Sequence, residues 1–382
     1  MQFFTDSNFD FIGRRNIFIG LSIVLLVAGF GSLLVHGGPK LGIDFKGGTL
    51  VYVKFQQPPD VAALRAAFNR ANLEVSTLQP FEDGNELKID LNLQSEDEGL
   101  ATAGREELIA ALRTVYPAEE GKVDFNNVGA DVLASALRAS SKSNQFGFDQ
   151  VSEIAARLTA ARDQGADSGL VKDFSSLNSV EGATPDIMTA LQETTFLGAF
   201  TIRGIEAVGP KIGGDLQWQA LQATLAALAG MLVYIAFRFE WIYGVAAVIA
   251  VFHDVLITVG LFSLFDREIE LTVVAALLTL VGYSMNDTIV IFDRVRENKK
   301  LGRRMPLQDL LNLSVNQTLA RTVLTSGLTF AAVLCLFVFG GEVLRGFSFA
   351  LVVGIIVGTY SSIFIASPIL LWWQGRVTGR RA

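Results

Sequence analysis

One stretch, residues 271–298 (LTVVAALLTLVGYSMNDTIVIFDRVREN), constrains this chain more than any other. It opens with roughly twenty apolar or small residues, which is the length of an α-helix that spans a bilayer. Asp287 lies within the run, and apolar residues resume after it before the charged end of the segment. A carboxylate inside a membrane helix costs about 2.5–3.5 kcal/mol. The sequence therefore predicts a membrane span in which Asp287 has a function.

Two other interpretations of Asp287 stay open at this point. The side chain reaches the interface from a shallow depth, or it holds a neighbouring helix through a hydrogen bond. Helical spacing places Tyr283 and Ser284 on the face of Asp287, and Asn286 precedes it. A polar stripe on an apolar helix predicts contact with the interior of a helix bundle.

The composition indicates a polytopic membrane protein, because 51% of the 382 residues are hydrophobic. There is one cysteine, Cys335, and there are two histidines, His36 and His253, which argues against a disulfide framework or a zinc site. The sequence contains no nucleotide-binding or hydrolase fingerprint. The first apolar run lacks a small-residue cleavage site, so we interpret it as a retained helix.

The domain organisation follows from the apolar runs. We predict a cytoplasmic N-terminus (1–15), a transmembrane helix (16–35), a periplasmic domain (36–216), a five-helix transmembrane bundle (217–372) and a basic cytoplasmic tail (373–382). The six predicted spans are 16–35, 220–237, 242–265, 271–292, 319–339 and 347–372.

Positive charges in the short loops predict the orientation. With the N-terminus inside, the cytoplasmic segments contain Arg14, Arg15, Arg238, Arg294, Arg296, Lys299, Lys300, Arg303, Arg304, Arg376, Arg380 and Arg381. The short external loops contain Arg267 and Arg345. We therefore predict that both termini are cytoplasmic. The basic stretch after the fourth span is expected to lead into an interfacial helix at 307–313.

The external domain has the pattern of an α+β fold. Alternation predicts strands at 49–55, 74–78, 86–93 and 200–208, and amphipathic spacing predicts helices at 61–71 and 106–115. This β-α-β-β-α-β order is that of ferredoxin-like domains. Residues 117–196 are polar and helix-prone at 130–140 and 149–161, which indicates a helical insertion. The predicted fold class is an α-helical polytopic membrane protein with six transmembrane helices and a ferredoxin-like periplasmic domain between helices 1 and 2.

Three predicted spans contain ionisable residues. His253 and Asp254 lie in the third, Asp287 in the fourth, and Arg321 in the fifth, near Thr325. Because the fourth span runs inward and the fifth outward, Asp287 and Arg321 are expected at similar depth, where each would offset the other's burial. Burial favours a neutral carboxyl group and a guanidinium favours the charged form, so helix movement that alternates these environments predicts proton transport.

Two alternatives to that cycle stay open. Asp287 and Arg321 form a structural salt bridge, or Asp254 and Asp287 act as the paired carboxyl groups of an aspartyl protease. Neither aspartate lies in a GxGD-like context, which disfavours the protease.

Several strings in this chain are distinctive enough to compare with known families. GIDFKGGT, with Gly42, Asp44, Gly47 and Gly48, resembles the signature of the export membrane proteins of the SecD/SecF family. VGPKIG at 208–213, FRFEW at 237–241 and the His-Asp pair at 253–254 fit as well. VGYSMNDTIVIFDRVREN at 281–298 is similar to the SecF members in particular. The resemblance covers both ends of the external domain and all six spans.

This resemblance implies one half of a SecD–SecF complex, in the resistance-nodulation-division superfamily and without catalytic chemistry of its own. Such a complex works with the SecYEG channel and uses the proton motive force, with no cofactor or metal, to move unfolded preproteins on the periplasmic side. It further implies YajC as a partner, contact with membrane lipids but no nucleic acid, and a place in the cell inner membrane.

The resemblance also assigns residues. In the family a fourth-span aspartate and a fifth-span arginine serve proton transport, and the matching positions are Asp287 and Arg321. Asp254 and His253 are the next candidates. The expected supporting polar face consists of Asn286, Tyr283, Ser284 and Thr325.

Two alternative functions remain: a non-conducting structural scaffold of the translocon, and a small-molecule or lipid exporter of the same superfamily. The length of the chain and its SecF-like string disfavour the exporter. Gly354 and Gly358 in the sixth span form a GxxxG contact. Whether that contact faces SecD or another helix of this chain stays open.

Overall fold

The structure is a computed structural model that describes residues 8–81, 84–91, 98–140, 147–165, 169–238, 241–301, 305–341 and 344–379. It divides into two compact units. The helical unit consists of Met1–Phe45 and Gly214–Ala382, and the α+β unit consists of Lys46–Gly213. Residues 36–45, predicted as part of the external domain, therefore group with the helices.

The helices are α1 (Arg15–Val35), α2 (Ile43–Lys46), α3 (Val61–Arg70), α4 (Glu98–Val115), α5 (Ala130–Arg138), α6 (Phe148–Gln164), α7 (Pro185–Thr194), α8 (Pro210–Arg238), α9 (Trp241–Leu264), α10 (Leu271–Lys300), α11 (Leu307–Phe339), α12 (Arg345–Ser361) and α13 (Ser367–Gly379). The strands are β1 (Gly48–Phe55), β2 (Val75–Phe81), β3 (Glu86–Leu91), β4 (Val123–Asp124), β5 (Thr195–Phe196) and β6 (Phe200–Val208).

Six segments of the described chain are long and apolar enough to cross a membrane. They are Arg15–Val35, Pro210–Ile235, Trp241–Leu264, Leu271–Lys300, Leu307–Phe339 and Arg345–Trp373. The six predicted spans are thereby confirmed. A bilayer provides no water for unpaired backbone groups, so continuous helices are the form in which these runs satisfy their own hydrogen bonds.

Two spans are longer than predicted because their helices continue past the apolar stretch. α10 continues to Lys300, and α11 begins at Leu307. The helix predicted at 307–313 is the first part of α11, and its Leu310 and Leu311 are buried in the core of the helical unit. Neither Gly nor Pro occurs between 307 and 326, so no helix-breaking residue separates the two stretches.

The α+β unit contains a four-stranded sheet in the order β2-β3-β1-β6, with all neighbours antiparallel. In the central strand β1, Val51 pairs with Ile89 of β3 and with Ile205 of β6. Side chains of α3 and α4 complete the core of this sheet, among them Leu64, Phe68, Leu108 and Leu112. This strand order confirms the ferredoxin-like prediction.

The predicted insertion at 117–196 has its own hydrophobic core. α5, α6 and α7 supply most of it, including Leu133, Leu137, Leu158, Ile187 and Leu191. The helices predicted at 130–140 and 149–161 correspond to α5 and α6. The short strands β4 and β5 pair in parallel at its edge.

The chain before α1 is packed against the helices rather than being a simple polar end. Ile12 is fully buried in the core of the helical unit. At the other end, α13 continues to Gly379, so most of the predicted tail is helical. Residues 1–7, Asp83, residues 239–240, Arg303, Arg304 and the last three residues lie outside the described part of the chain.

Candidate functional site

Three helices, α9, α10 and α12, supply the buried polar residues around Asp254. Of these, α10 and α12 approach closely through small residues. A Cβ built on Gly354 of α12 would lie 2.5 Å from Cδ1 of Leu280, and one built on Gly358 would lie 2.9 Å from Cβ of Ser284. The GxxxG contact therefore faces α10 of the same chain. Close approach of two backbones lets short hydroxyl side chains bridge between the helices.

Asp254 of α9 is the centre of the buried polar network. Its side chain is completely buried, and both carboxylate oxygens are engaged. Oδ2 accepts hydrogen bonds from Ser284 Oγ of α10 (2.5 Å) and Ser361 Oγ of α12 (2.8 Å). Oδ1 lies 2.8 Å from Nδ1 of His253. Three helices therefore converge on one carboxyl group.

His253 joins this network through one of its two ring nitrogens, Nδ1. His253 is 8% exposed, and its Nε2 is buried without a hydrogen-bond partner among the described residues. The ring of Tyr360 stands edge-to-face against it, with centroids 6.0 Å apart. The Tyr360 hydroxyl is paired with Ser22 Oγ of α1 at 3.0 Å. One imidazole nitrogen is thus bonded to the carboxyl group and the other is not.

Asp287 lies one turn after Ser284 on α10 and is 3% exposed. Its Oδ2 accepts a hydrogen bond from Ser326 Oγ of α11 at 2.9 Å. The prediction that Asp287 lies inside the bundle is confirmed. Its partner is a neutral hydroxyl, and this hydroxyl ties α10 to α11.

The expected pairing of Asp287 with Arg321 stays a prediction. Arg321 is exposed on α11, and no ion pair joins it to Asp287 within the described residues. Ser326 lies more than one turn from Arg321 along α11, on the face that α10 covers, whereas Arg321 lies on the open face. The sequence predicts that Asp287 and Arg321 lie at similar depth, but it does not predict the rotation of α11 about its axis.

A second pair of hydroxyls lies beside the carboxyl groups. Thr288 Oγ1 and Ser362 Oγ are fully buried and 2.8 Å apart, again joining α10 to α12. Ser362 also donates to the carbonyl of Gly358 at 2.9 Å. Ser361 and Ser362 are adjacent in an apolar span, which is a visible signal in the sequence, although neither is among the residues expected at the site.

The helix that carries these serines becomes irregular at Ser362. A π-helical turn, Ser362–Ala366, separates α12 from α13. Pro368 lacks a backbone N–H, and in a regular helix its ring would clash with the carbonyl four residues earlier. Ser367 donates its hydroxyl to the Ser362 carbonyl at 3.2 Å within this wide turn. Turns of this kind occur frequently at functional sites.

The predicted supporting face divides into two groups. Ser284 belongs to the Asp254 network. Asn286 and Thr325 are exposed, and Tyr283 is partly buried with a hydroxyl that has no partner among the described residues. The described residues bring together no group of three or more His, Cys, Asp or Glu side chains that could hold a metal ion.

The signature residues are placed at helix ends and not in the buried network. Asp44 Oδ2 accepts from the backbone N–H of Leu271 (2.8 Å), the first residue of α10. Gly42 N donates to the Ile269 carbonyl at 2.9 Å. Sixteen residues of helix separate Leu271 from Asp287, or about 24 Å. These two signature residues therefore position the start of the helix that carries the buried aspartate.

The two adjacent glycines of the signature meet the string VGPKIG. Gly47 has φ +73° and Gly48 has φ +137°, values that favour glycine. A Cβ on Gly47 would lie 2.8 Å from Cα of Pro210. The two strings that resemble the family are thus in direct contact inside the α+β unit.

Comparison with known proteins decides the family. The models "Protein export membrane protein SecD/SecF, C-terminal" and "SecD/SecF GG Motif" match residues 187–376 and 32–59. The protein translocase subunit SecF of Koribacter versatilis is 48% identical, over 98% of this chain and 94% of that relative. The chain belongs to the SecF family of protein translocase subunits. The SecF of Gemmatimonas aurantiaca is 34% identical, over 98% of this chain and 90% of its own length.

The fold matches a solved structure of the same family. SecDF, a translocon-associated membrane protein from Thermus thermophilus, is 30% identical with a TM-score of 0.65. The match covers 97% of this chain but 39% of the SecDF chain. The predicted SecD/SecF resemblance is confirmed, and the chain is a multi-pass membrane protein.

Proposed function

We propose that this chain is the SecF half of a SecD–SecF complex and carries protons through its helical unit to drive preprotein movement. The observation that carries the proposal is the pair of buried aspartates, Asp254 and Asp287, bonded to hydroxyls and an imidazole. A serine hydroxyl donates to a charged carboxylate and accepts from a protonated one. Such partners suit both protonation states, whereas a guanidinium only donates and holds the carboxylate charged.

The energy available to this cycle comes from the membrane potential. Each charge that crosses the membrane releases about 2.3 kcal/mol per 100 mV. Asp287 and Asp254 are the proposed carriers, with His253 beside Asp254. Arg321, on the open face of α11, is the proposed charge that Asp287 meets in another conformation of the complex. The cycle uses no cofactor or metal and no covalent chemistry.

The proposed partners and orientation follow from the family and from the charges. A relative named SecDF contains a SecF-like part in a longer chain, which supports a separate SecD chain as the partner here. The excess of Lys and Arg on one side of the spans supports cytoplasmic termini and a periplasmic α+β unit in the inner membrane. SecYEG, YajC and an unfolded preprotein complete the proposed assembly, with lipids around the spans.

The test compares wild type with Asp287→Asn in membranes that contain SecD and SecYEG. Asparagine keeps the size of the side chain but does not titrate. We expect loss of the proton-gradient-dependent part of preprotein export at unchanged protein levels. Asp293→Asn makes the same chemical change at an exposed position of α10 and is the matched control. Full export by Asp287→Asn would exclude the proton role and favour the scaffold function.

A further inference from the structure

The Asp254 carboxyl group has no direct contact with solvent. It is completely buried, and each of its oxygens is bonded to a protein side chain. A group that exchanges protons under these conditions must do so through one of its three partners: Ser284, Ser361 or His253. The other hydrogen bonds of each partner decide which of the three can pass a proton.

The two serines are poor routes for a proton. Ser284 and Ser361 are themselves buried, and Ser361 also lies 3.2 Å from the carbonyl of Gly358. A serine passes a proton only if its hydroxyl accepts another from a donor on its far side. The described hydrogen bonds of these two hydroxyls supply no such donor, because they lead to Asp254 and a backbone carbonyl.

His253 has the required second atom. Nδ1 faces Asp254 Oδ1 at 2.8 Å, and Nε2 is buried with no partner among the described residues. A buried polar atom without a partner is rare in native proteins and calls for an explanation. With the proton of neutral imidazole on Nδ1, Nε2 has a free lone pair that accepts a proton.

We propose that His253 is the relay through which Asp254 exchanges protons with water. A hydronium ion from bulk water donates a proton to Nε2 and leaves as a neutral water molecule, the Nδ1–H bond breaks, and the Oδ1–H bond of Asp254 forms. The products are a neutral carboxyl group and a neutral imidazole with its proton on Nε2. The reverse sequence releases the proton, and no other reactant is needed.

An aromatic side chain packs against the imidazole of His253. Tyr360 stands edge-to-face against the imidazole, and its hydroxyl is held by Ser22 of α1. Among the groups around the network, the titratable ones are Tyr360 on α12 and, one turn from Ser284 on α10, Asp287. α1 presents the neutral Ser22. Displacement of Tyr360 with α1 would give water a route to Nε2.

This inference rests on the proposed function, yet its first test needs only the purified chain of 382 residues. The sequence contains two histidines, so nitrogen-15 imidazole signals assign directly once His36→Gln removes the other one. We expect the proton of His253 to move from Nδ1 to Nε2 as Asp254 becomes protonated on acidification. The move should be absent in Asp254→Asn. A single tautomer throughout the titration would overturn the relay.

A second measurement follows the carboxyl band of Asp254 by infrared spectroscopy after a pH jump. Asp254→Asn identifies the band. His253→Gln keeps a donor beside the carboxylate but cannot relay, so we expect protonation to slow by about a hundredfold. Ser361→Ala removes a different donor from the same carboxylate and is expected to change the equilibrium but not the relay rate. Wild-type kinetics in His253→Gln would overturn the proposal.

The two hypotheses fail separately. If Asp254→Asn exports with full gradient dependence while the tautomer switch is present, the relay is correct and Asp254 has no role in export. If the switch is absent while Asp254→Asn and Asp287→Asn abolish the gradient effect, the proposed function is correct and the relay is wrong.

Discussion

Gly358 of α12 lies directly against Ser284 of α10, so that a Cβ built on Gly358 would lie 2.9 Å from the Ser284 Cβ and 3.2 Å from its Oγ. Ser284 donates to Asp254 at 2.5 Å. The absence of a side chain at one glycine therefore determines where a hydroxyl of the next helix reaches the buried carboxylate.

Gly358→Ala should destabilise this contact. The added methyl group overlaps Ser284, and overpacking of this kind costs about 1–3 kcal/mol. Thermal unfolding of the purified chain measures the effect. Gly282→Ala is the matched control, because a Cβ there meets no described atom within 4 Å. Equal unfolding temperatures for the two variants would contradict the packing argument.

Asp44→Ala should weaken the start of α10. Asp44 Oδ2 accepts from the Leu271 N–H, one of the helix's otherwise unpaired donors, and such a cap contributes about 1 kcal/mol. Hydrogen exchange in the first turn of α10 should accelerate. Asp44→Asn retains an acceptor oxygen and should remain close to wild type. If both variants exchange alike, the carboxylate does not act as the cap.

Asn312→Ala should loosen the chain before α1. The Asn312 side chain accepts from Ile12 N at 2.9 Å and donates to Asp10 Oδ1 at 2.7 Å. The same amide hydrogen bond and the N–H of Gly13 lower the pKa of Asp10. Loss of the partly buried hydrogen bond from Ile12 N costs about 1 kcal/mol. Limited proteolysis should cut residues 8–14 faster than in wild type.

In the wild-type protein, acidification should weaken the attachment of residues 8–14 to α11 through Asp10 and Asn312. Because the pKa of Asp10 is lower in the folded than in the unfolded state, its charged form stabilises the fold. This stabilisation is complete above the unfolded pKa and is lost as the pH falls through the folded pKa. Asn312→Ala is expected to reduce this acid sensitivity of proteolysis. Asn286→Ala, at an exposed amide elsewhere, is the control. An identical pH profile in both variants would exclude Asn312 as the cause.

Asp124 should give the opposite pH dependence in the α+β unit. Burial raises its pKa, although hydrogen bonds from Asn127 Nδ2 and Asn126 N act against this. A raised pKa means that the folded state binds the proton more tightly, so local stability rises as the pH falls from neutral towards the unfolded value of 3.8. Amide exchange at 123–129, corrected for its intrinsic pH dependence, should slow accordingly.

The control for Asp124 is Asp124→Asn, which cannot titrate and should abolish this pH dependence of exchange. Gly198 packs against the carboxylate, with a built Cβ 2.4 Å from Oδ1, and Gly198 N donates to it at 3.2 Å. Gly198→Ala should therefore raise exchange at every pH. A pH dependence that persists in Asp124→Asn would assign it to another group.

Much of the fold was predictable because it depends on local patterns. Six apolar runs of membrane length became six helices, and alternation at 49–55 and 200–208 became β1 and β6. Asp287 was recognised because a carboxylate in an apolar run is expensive wherever the helix packs. Asp254 and His253 were identified for the same reason.

The partners of those residues were not predictable. Ser326, rather than Arg321, binds Asp287, and Ser361 binds Asp254 across a large sequence separation. A hydroxyl costs little in an apolar helix, because it can bond to a carbonyl of its own helix, so its presence in the sequence does not mark it. Only the rotation of each packed helix shows which serine faces which carboxylate.

The sequence by itself determined the number of spans, the order of the ferredoxin-like elements and the identity of the two buried aspartates, since each depends on hydrophobic periodicity and the cost of burial. The tertiary structure alone decided that Gly354 and Gly358 face α10, that three helices meet at Asp254, and that Nε2 of His253 is unpaired among the described residues. These facts depend on how helices rotate and approach one another, and small side chains at distant positions control that approach.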